Sequence, residues 1–155
     1  MRSELLNFSK EHQDLYLKLD EFLLEISKNK REINREHLIV NLKLLLEFTE
    51  NLLNNHFSEE DLVFEKIETL TLDEEMLVLF NKIKSDHIEI RDKYQNIFKS
   101  FNSLSEVIDS SDINLDQKLK TELLFPAYNL IATINHHAQR EDKFFERYLD
   151  ALISS

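Results

Sequence analysis

Not one glycine occurs in this chain of 155 residues. Tight hairpins, bulges and phosphate-cradling loops depend on positions that accept positive φ, which glycine supplies without steric cost. A chain without it has no Walker A loop, no dinucleotide-binding fingerprint and no G-x-S-x-G nucleophile elbow. Nucleotide-dependent and acyl-transfer chemistry recede accordingly. Cysteine is absent too, which removes disulfides, thiolate zinc sites, iron–sulfur ligands and a cysteine nucleophile. Any metal this chain binds must be held by nitrogen and oxygen.

The length suits one compact domain, residues 1–155, with 42% hydrophobic and 32% charged residues to build a core and a solvated surface. A formal net charge of −11 argues against a nucleic-acid partner, because phosphate backbones call for basic surfaces. Residues Met1 to Lys10 lack a basic region followed by a long apolar run, and no segment approaches the roughly 20 apolar residues of a membrane span. A cytoplasmic protein with no membrane partner is the expectation.

Four segments show apolar residues recurring every three to four positions, the signature of one helix face turned to a core. The first, about Ser3 to Ser27, carries Leu5, Phe8, His12, Leu15, Leu19, Phe22 and Ile26. After polar Lys28 to Asn34, the second places Leu38, Leu42, Leu45, Thr49, Leu52, His56, Glu60, Val63 and Ile67 on one face. The third begins near Asp73, read as an N-cap before Met76, and runs through Phe80, Ile83, His87, Ile90, Tyr94, Ile97 and Phe101. Acidic, Ser-containing Asp109 to Asn114 is the last connection, and the fourth segment carries Leu130, Ile134, His137, Glu141, Phe144 and Tyr148. Pro126 leaves two starts open for that helix: near Phe125 with proline in the first turn, or from about Asp116 with a kink.

Short connections imply antiparallel neighbours, so the expected fold is an all-α, up-down-up-down four-helix bundle. In that arrangement His12, His56, His87 and His137 lie about 9 to 15 residues from one end, within a slab of roughly 9 Å at ~1.5 Å per residue. One histidine on a helix stripe is ordinarily a hydrogen-bonded core or boundary residue. Four at one depth point to a common site. His56 with Glu60 and His137 with Glu141 have the i, i+4 spacing that stacks two side chains on one face. Four imidazoles and two carboxylates in a Phe-rich interior suit a pair of cations, which offset carboxylate charge that is otherwise costly to bury. Iron or manganese fits these donors best, and zinc or copper is also accommodated.

The motifs resemble those of a known family. His56-Phe57-Ser58-Glu59-Glu60 is similar to the H-F-x-x-E motif of hemerythrins, and Asp86-His87-Ile88-Glu89-Ile90-Arg91 to the single-histidine third helix of bacterial hemerythrin-like, HHE cation-binding domains. His137-Ala138-Gln139-Arg140-Glu141 resembles their H-x-x-x-E fourth helix and Glu11-His12 their first. The resemblance spans nearly the whole chain. It implies a hemerythrin-like bundle with a non-haem di-iron centre, carboxylate- and oxo-, hydroxo- or water-bridged. His12, His56, His87 and His137 would be terminal ligands and Glu60 and Glu141 bridges. It also implies a protein that carries or senses dioxygen, binds nitric oxide, senses iron or helps repair iron centres, with a redox protein as a further partner.

The chain departs from the oxygen carriers in the third helix. Where those have a second histidine one turn from the first, this chain has Ile83 on one side and Arg91 on the other, so one iron should lack a protein ligand. That shortfall favours sensing, iron handling or peroxide chemistry over reversible oxygen carriage. Glu59 or water could supply the missing oxygen. His136 remains an alternative to His137, since His136 to Glu141 and His137 to Asp142 both span five residues, although the stripe favours His137. His37 reads as a surface residue, and Glu59, Asp61, Glu89 and Asp142 as solvated charges. Phe57, Phe144 and Tyr148 lie within a turn or two of the site. Two rival readings remain: a di-iron oxidase or peroxidase, weakened by the absence of any Glu-x-x-His pair, and a metal-free structural or interaction bundle.

Overall fold

A computed structural model describes residues 2–70 and 72–154, and all regular structure among them is helical. The elements are α1 (Arg2–Ser27), α2 (Arg35–Asn51), α3 (Phe57–Glu68), α4 (Glu74–Ser105), α5 (Leu115–Leu119) and α6 (Phe125–Ser154). A π-helical turn, Leu52–His56, fuses α2 to α3, and a second, Lys120–Leu124, fuses α5 to α6. Four long rods result. No described residue has positive φ, so the chain turns without the conformation that glycine serves. No helix is long and apolar enough to cross a membrane.

Side chains shape the turns instead. Asn29, fully buried, accepts from the Asn34 backbone N–H through its Oδ1 and places its amide against the Ile26 carbonyl and His37 Nδ1. Asn34 then caps α2 by accepting from the His37 N–H, and Asp73 caps α4 by accepting from the Met76 N–H at 2.8 Å, as its sequence position suggested. Arg35 donates to the carbonyls of Ile108 and Ser110 and to Asp116, tying the start of α2 to the 106–114 connection.

The π-turns answer two questions that periodicity left open. The fourth rod is the longer of the two alternatives, starting at Leu115. Pro126 has no N–H and its ring crowds the carbonyl four residues back. The preceding turn widens, with Phe125 N–H reaching Lys120 O, and the helix continues through the proline. In the second rod Phe57 N–H reaches Leu52 O. The extra residue turns Phe57 and Phe64 inward beside His56, Glu60, Val63 and Ile67.

Buried apolar residues form two clusters. The larger is built around Leu19, Leu42, Leu45, Ile97, Leu123, Leu130 and Ile134. The smaller gathers Leu5 and Phe8 from the start of α1, Val63 to Ile67 from the end of α3, Met76 to Ile83 from the start of α4, and Phe144 to Tyr148 from α6. Along every rod a buried polar residue falls between members of the two clusters, as His12 does between Phe8 and Leu15 and His87 between Ile83 and Ile90. The candidate site is this layer.

Candidate metal centre

All six residues singled out in the sequence converge. His12, His56, Glu60 and Glu141 each bring a donor atom within 4.8 Å of one another, and Glu60, His87, His137 and Glu141 do the same. Glu60 and Glu141 belong to both groups, so two adjacent cation positions share two carboxylates and take two imidazoles each. Both glutamates are fully buried. Nε2 of His56 lies 3.3 Å from Glu60, and Nε2 of His137 lies 2.6 Å from Glu141. Nε2 of His12 lies 3.6 Å from Glu141 and 3.2 Å from Nε2 of His56. The histidine shortfall is thereby spread evenly: neither position is short relative to the other.

Each imidazole points Nε2 inward because Nδ1 is engaged by a carboxylate from a neighbouring rod. Nδ1 of His56 donates to Glu11 at 2.6 Å, that of His87 to Asp61 at 2.8 Å, that of His137 to Asp86 at 3.2 Å, and that of His12 to Asp142 at 2.6 Å. An ionised carboxylate only accepts, so these bonds fix the tautomer and leave Nε2 free to ligate. The four contacts close a ring: α1 holds the second rod's histidine, α3 holds α4's, α4 holds α6's, and α6 holds α1's. Each holding carboxylate is the sequence neighbour of an inward donor, in the pairs Glu11-His12, Glu60-Asp61, Asp86-His87 and Glu141-Asp142. One residue advances a helix by about 100°, enough to aim the first of a pair at the core and the second at the adjacent rod.

This ring corrects the reading of Asp61 and Asp142 as simply solvated charges. Asp142 also accepts from the Tyr16 hydroxyl at 2.7 Å, and burial together with Asp142 pushes that phenol above its ordinary pKa. Glu59 is exposed, and Glu89 pairs with Lys93 outside the site. His136 is exposed, which leaves His137 as the inward histidine of α6, and Glu141 rather than Asp142 faces the centre. His37 is half-buried and bonded to Asn29 and Glu25. Ile83 belongs to the smaller apolar cluster and Arg91 is exposed, so neither takes the place of the second third-helix histidine.

Aromatic rings wall the layer. Phe57 stacks on His87 with centroids 4.3 Å apart and meets His137 edge-on at 5.1 Å. Phe8 meets His56 edge-on, and Phe64 lies against His87. From α6 it is Phe145, stacked with His12, that reaches the site, whereas Phe144 and Tyr148 pack with each other in the smaller cluster. A mainly apolar cleft of about 340 Å³, lined by Leu15, Phe48 and Leu52 among others, reaches His56 beneath Glu11.

The electrostatics are those of a proton-loaded ligand set. Burial alone would lower His56, yet Glu60, Glu141 and Glu11 hold it up at about 9. His137 rises to about 10 against its burial, through Glu141 and Asp86, and His87 is raised by Asp61 and Glu60. Against the upward push of complete burial, contacts with Glu141, His56 and His87 hold Glu60 well below the carboxylate range. Burial and the charge of Glu60 push Glu141 the other way. Asp86, despite burial, is held down at about 2 by His137 and Arg140. A cation entering here would replace protons on the imidazoles.

Six site atoms have no hydrogen-bond partner: both carboxylate oxygens of Glu60 and of Glu141, and Nε2 of His87 and of His137. Each such buried atom costs about 1–3 kcal/mol unless something else satisfies it. Nitrogen and oxygen donors converging on one point with their outer atoms already bonded are what a cation of intermediate hardness requires. Comparison with known proteins finds no match to a family model, to a curated protein or to a solved structure.

Proposed function

We propose that this chain is a hemerythrin-like protein that holds two iron ions, one by His12 and His56, the other by His87 and His137, with Glu60 and Glu141 shared between them. The observation that carries this reading is the pair of donor groups overlapping in those two fully buried glutamates. Two anionic carboxylates side by side in an apolar interior repel each other, and two divalent cations would turn that repulsion into attraction. An up-down-up-down antiparallel bundle is part of the reading. Its support is the smaller apolar cluster, in which the starts of α1 and α4 meet the ends of α3 and α6.

Bound iron would supply exchangeable positions for a diatomic ligand such as dioxygen or nitric oxide and a change of oxidation state. The protein's residues do the rest. The carboxylate ring orients four Nε2 atoms, Phe8, Phe57, Phe64 and Phe145 exclude water, and the cleft above His56 gives a small uncharged molecule an apolar approach. With two histidines available to each ion, both keep positions that no side chain fills, which favours binding or sensing of a small ligand or of iron itself. The test is elemental analysis of protein produced with iron supplied, with visible spectra before reduction, after it and after return to air. About two irons per chain and a spectrum that responds to oxygen are expected; less than about 0.2 metal per chain, unchanged in His56→Ala or His137→Ala, would overturn the reading.

A further inference from the structure

We infer, on the reading that the buried layer holds two cations, that Asp86 is a positioning residue that makes the His87–His137 position the tighter of the two. The four carboxylates of the ring do the same job from different surroundings. The side chains of Glu11, Asp61 and Asp142 are 50%, 54% and 29% exposed, whereas that of Asp86 is 0% exposed. A carboxylate at the surface exchanges its imidazole for water and swings away. Asp86 has no water to turn to.

Both of its oxygens are also held. Oδ2 accepts from Arg140 at 2.7 Å and from Nδ1 of His137 at 3.2 Å, and Oδ1 lies 3.2 Å from the Lys82 ammonium. The bond to His137 is longer than the 2.6 Å contacts made by Glu11 and Asp142; what sets it apart is that its acceptor is immobilised. Retention depends on how little Nε2 must be reorganised when the ion arrives, and a fixed acceptor means that ordering is complete beforehand.

The second observation concerns the imidazoles. His87 and His137 are wedged by a single ring, Phe57, which stacks on one and abuts the edge of the other. His56, in the opposite half, borders the 340 Å³ cleft and is held by a half-exposed glutamate. The His12–His56 position therefore exchanges its ion more readily, through that cleft.

The test is a titration of metal-free protein with Co(II), followed by absorption and by NMR of the exchangeable imidazole N–H protons. Wild-type protein is expected to fill in two steps at least about tenfold apart, and at one equivalent the His137 N–H should exchange with D2O most slowly. Asp86→Asn, of the same shape, should weaken the first step by roughly 10–100-fold and remove the slow N–H, leaving the second step within about threefold. Arg140→Met, which keeps Asp86 but frees one oxygen, should weaken the same step by a smaller factor, and it stands in should Asp86→Asn lose its helical circular dichroism. Glu11→Gln should move only the second step. Two equal steps in the wild type, or an equal weakening of both steps by either variant, would overturn the assignment while leaving a two-cation site intact. Failure of the wild type to take up any Co(II) would overturn the site itself.

Discussion

The layer around Leu42 and the layer around Glu60 lie in the same bundle and are built on opposite principles. In the first, Leu19, Leu42, Leu45, Ile97 and Leu130 fill space with no polar atom to satisfy. In the second, two carboxylates and four imidazoles are as deeply buried, and six of their atoms lack a partner. Apolar packing stabilises wherever it is buried. A polar layer in this condition costs free energy in the folded protein, and its presence is accounted for by a ligand that satisfies it. Depth in the core and contribution to stability are separate properties, and substitutions in the two layers should differ in sign.

The largest contrast should come from Glu141→Gln. It removes a carboxylate shared by both positions, so affinity for both cations should fall by more than the roughly 100-fold that loss of an outer partner costs. The metal-free protein, relieved of the charge that Glu60 opposes, should melt at the same temperature as wild type or higher at pH 8. Calorimetry of metal-free protein beside a cation titration checks both halves, and a large loss of metal-free stability would break the comparison. Leu42→Ala should do the reverse, costing about 2–5 kcal/mol by denaturant unfolding through the cavity it leaves, with the Co(II) or Fe(II) stoichiometry unchanged.

The smallest and most diagnostic effect concerns pH. His56 and His137 are raised in the folded state to about 9 and about 10, above their ordinary value. Their contribution to stability is complete below about pH 6.5 and is lost as pH climbs through 9 and 10. Glu141, also raised, adds a loss in the same direction that begins in the carboxylate range. The metal-free melting temperature should therefore fall between pH 7 and 10. In the metal-loaded protein the imidazoles carry no competing protons, and the fall should vanish or reverse. A flat metal-free profile over that window would show that these imidazoles are neutral when empty.

Much of this was legible in the sequence because helix periodicity reports burial directly. All seven residues of the first stripe, Leu5 to Ile26, are buried, and each histidine read as part of a stripe faces inward. The π-turns were not legible, since they shift a helix face by one residue while leaving the spacing of apolar residues nearly intact. Phe57 and Phe64 were consequently missed as inward-facing partners of His56 and Glu60, although Pro126 does mark the second π-turn in retrospect. The ring of carboxylates was missed for a different reason. A lone exposed acid is uninformative, and only the doublets Glu11-His12, Glu60-Asp61, Asp86-His87 and Glu141-Asp142 taken together carry the signal.

The π-turn at Leu52–His56 also determines which genetic changes the protein can absorb. Loss of one codon within it would restore an ordinary α-helix and rotate everything downstream by roughly 100° relative to α2. Glu60 and Asp61 would leave the axis together, removing a shared carboxylate from both cation positions and the acceptor that holds His87. The same three-base loss in the 106–114 connection would fall among exposed residues of a surface loop, which shortens with little strain. Length variation among descendants of this gene should therefore collect in that connection and avoid the second rod.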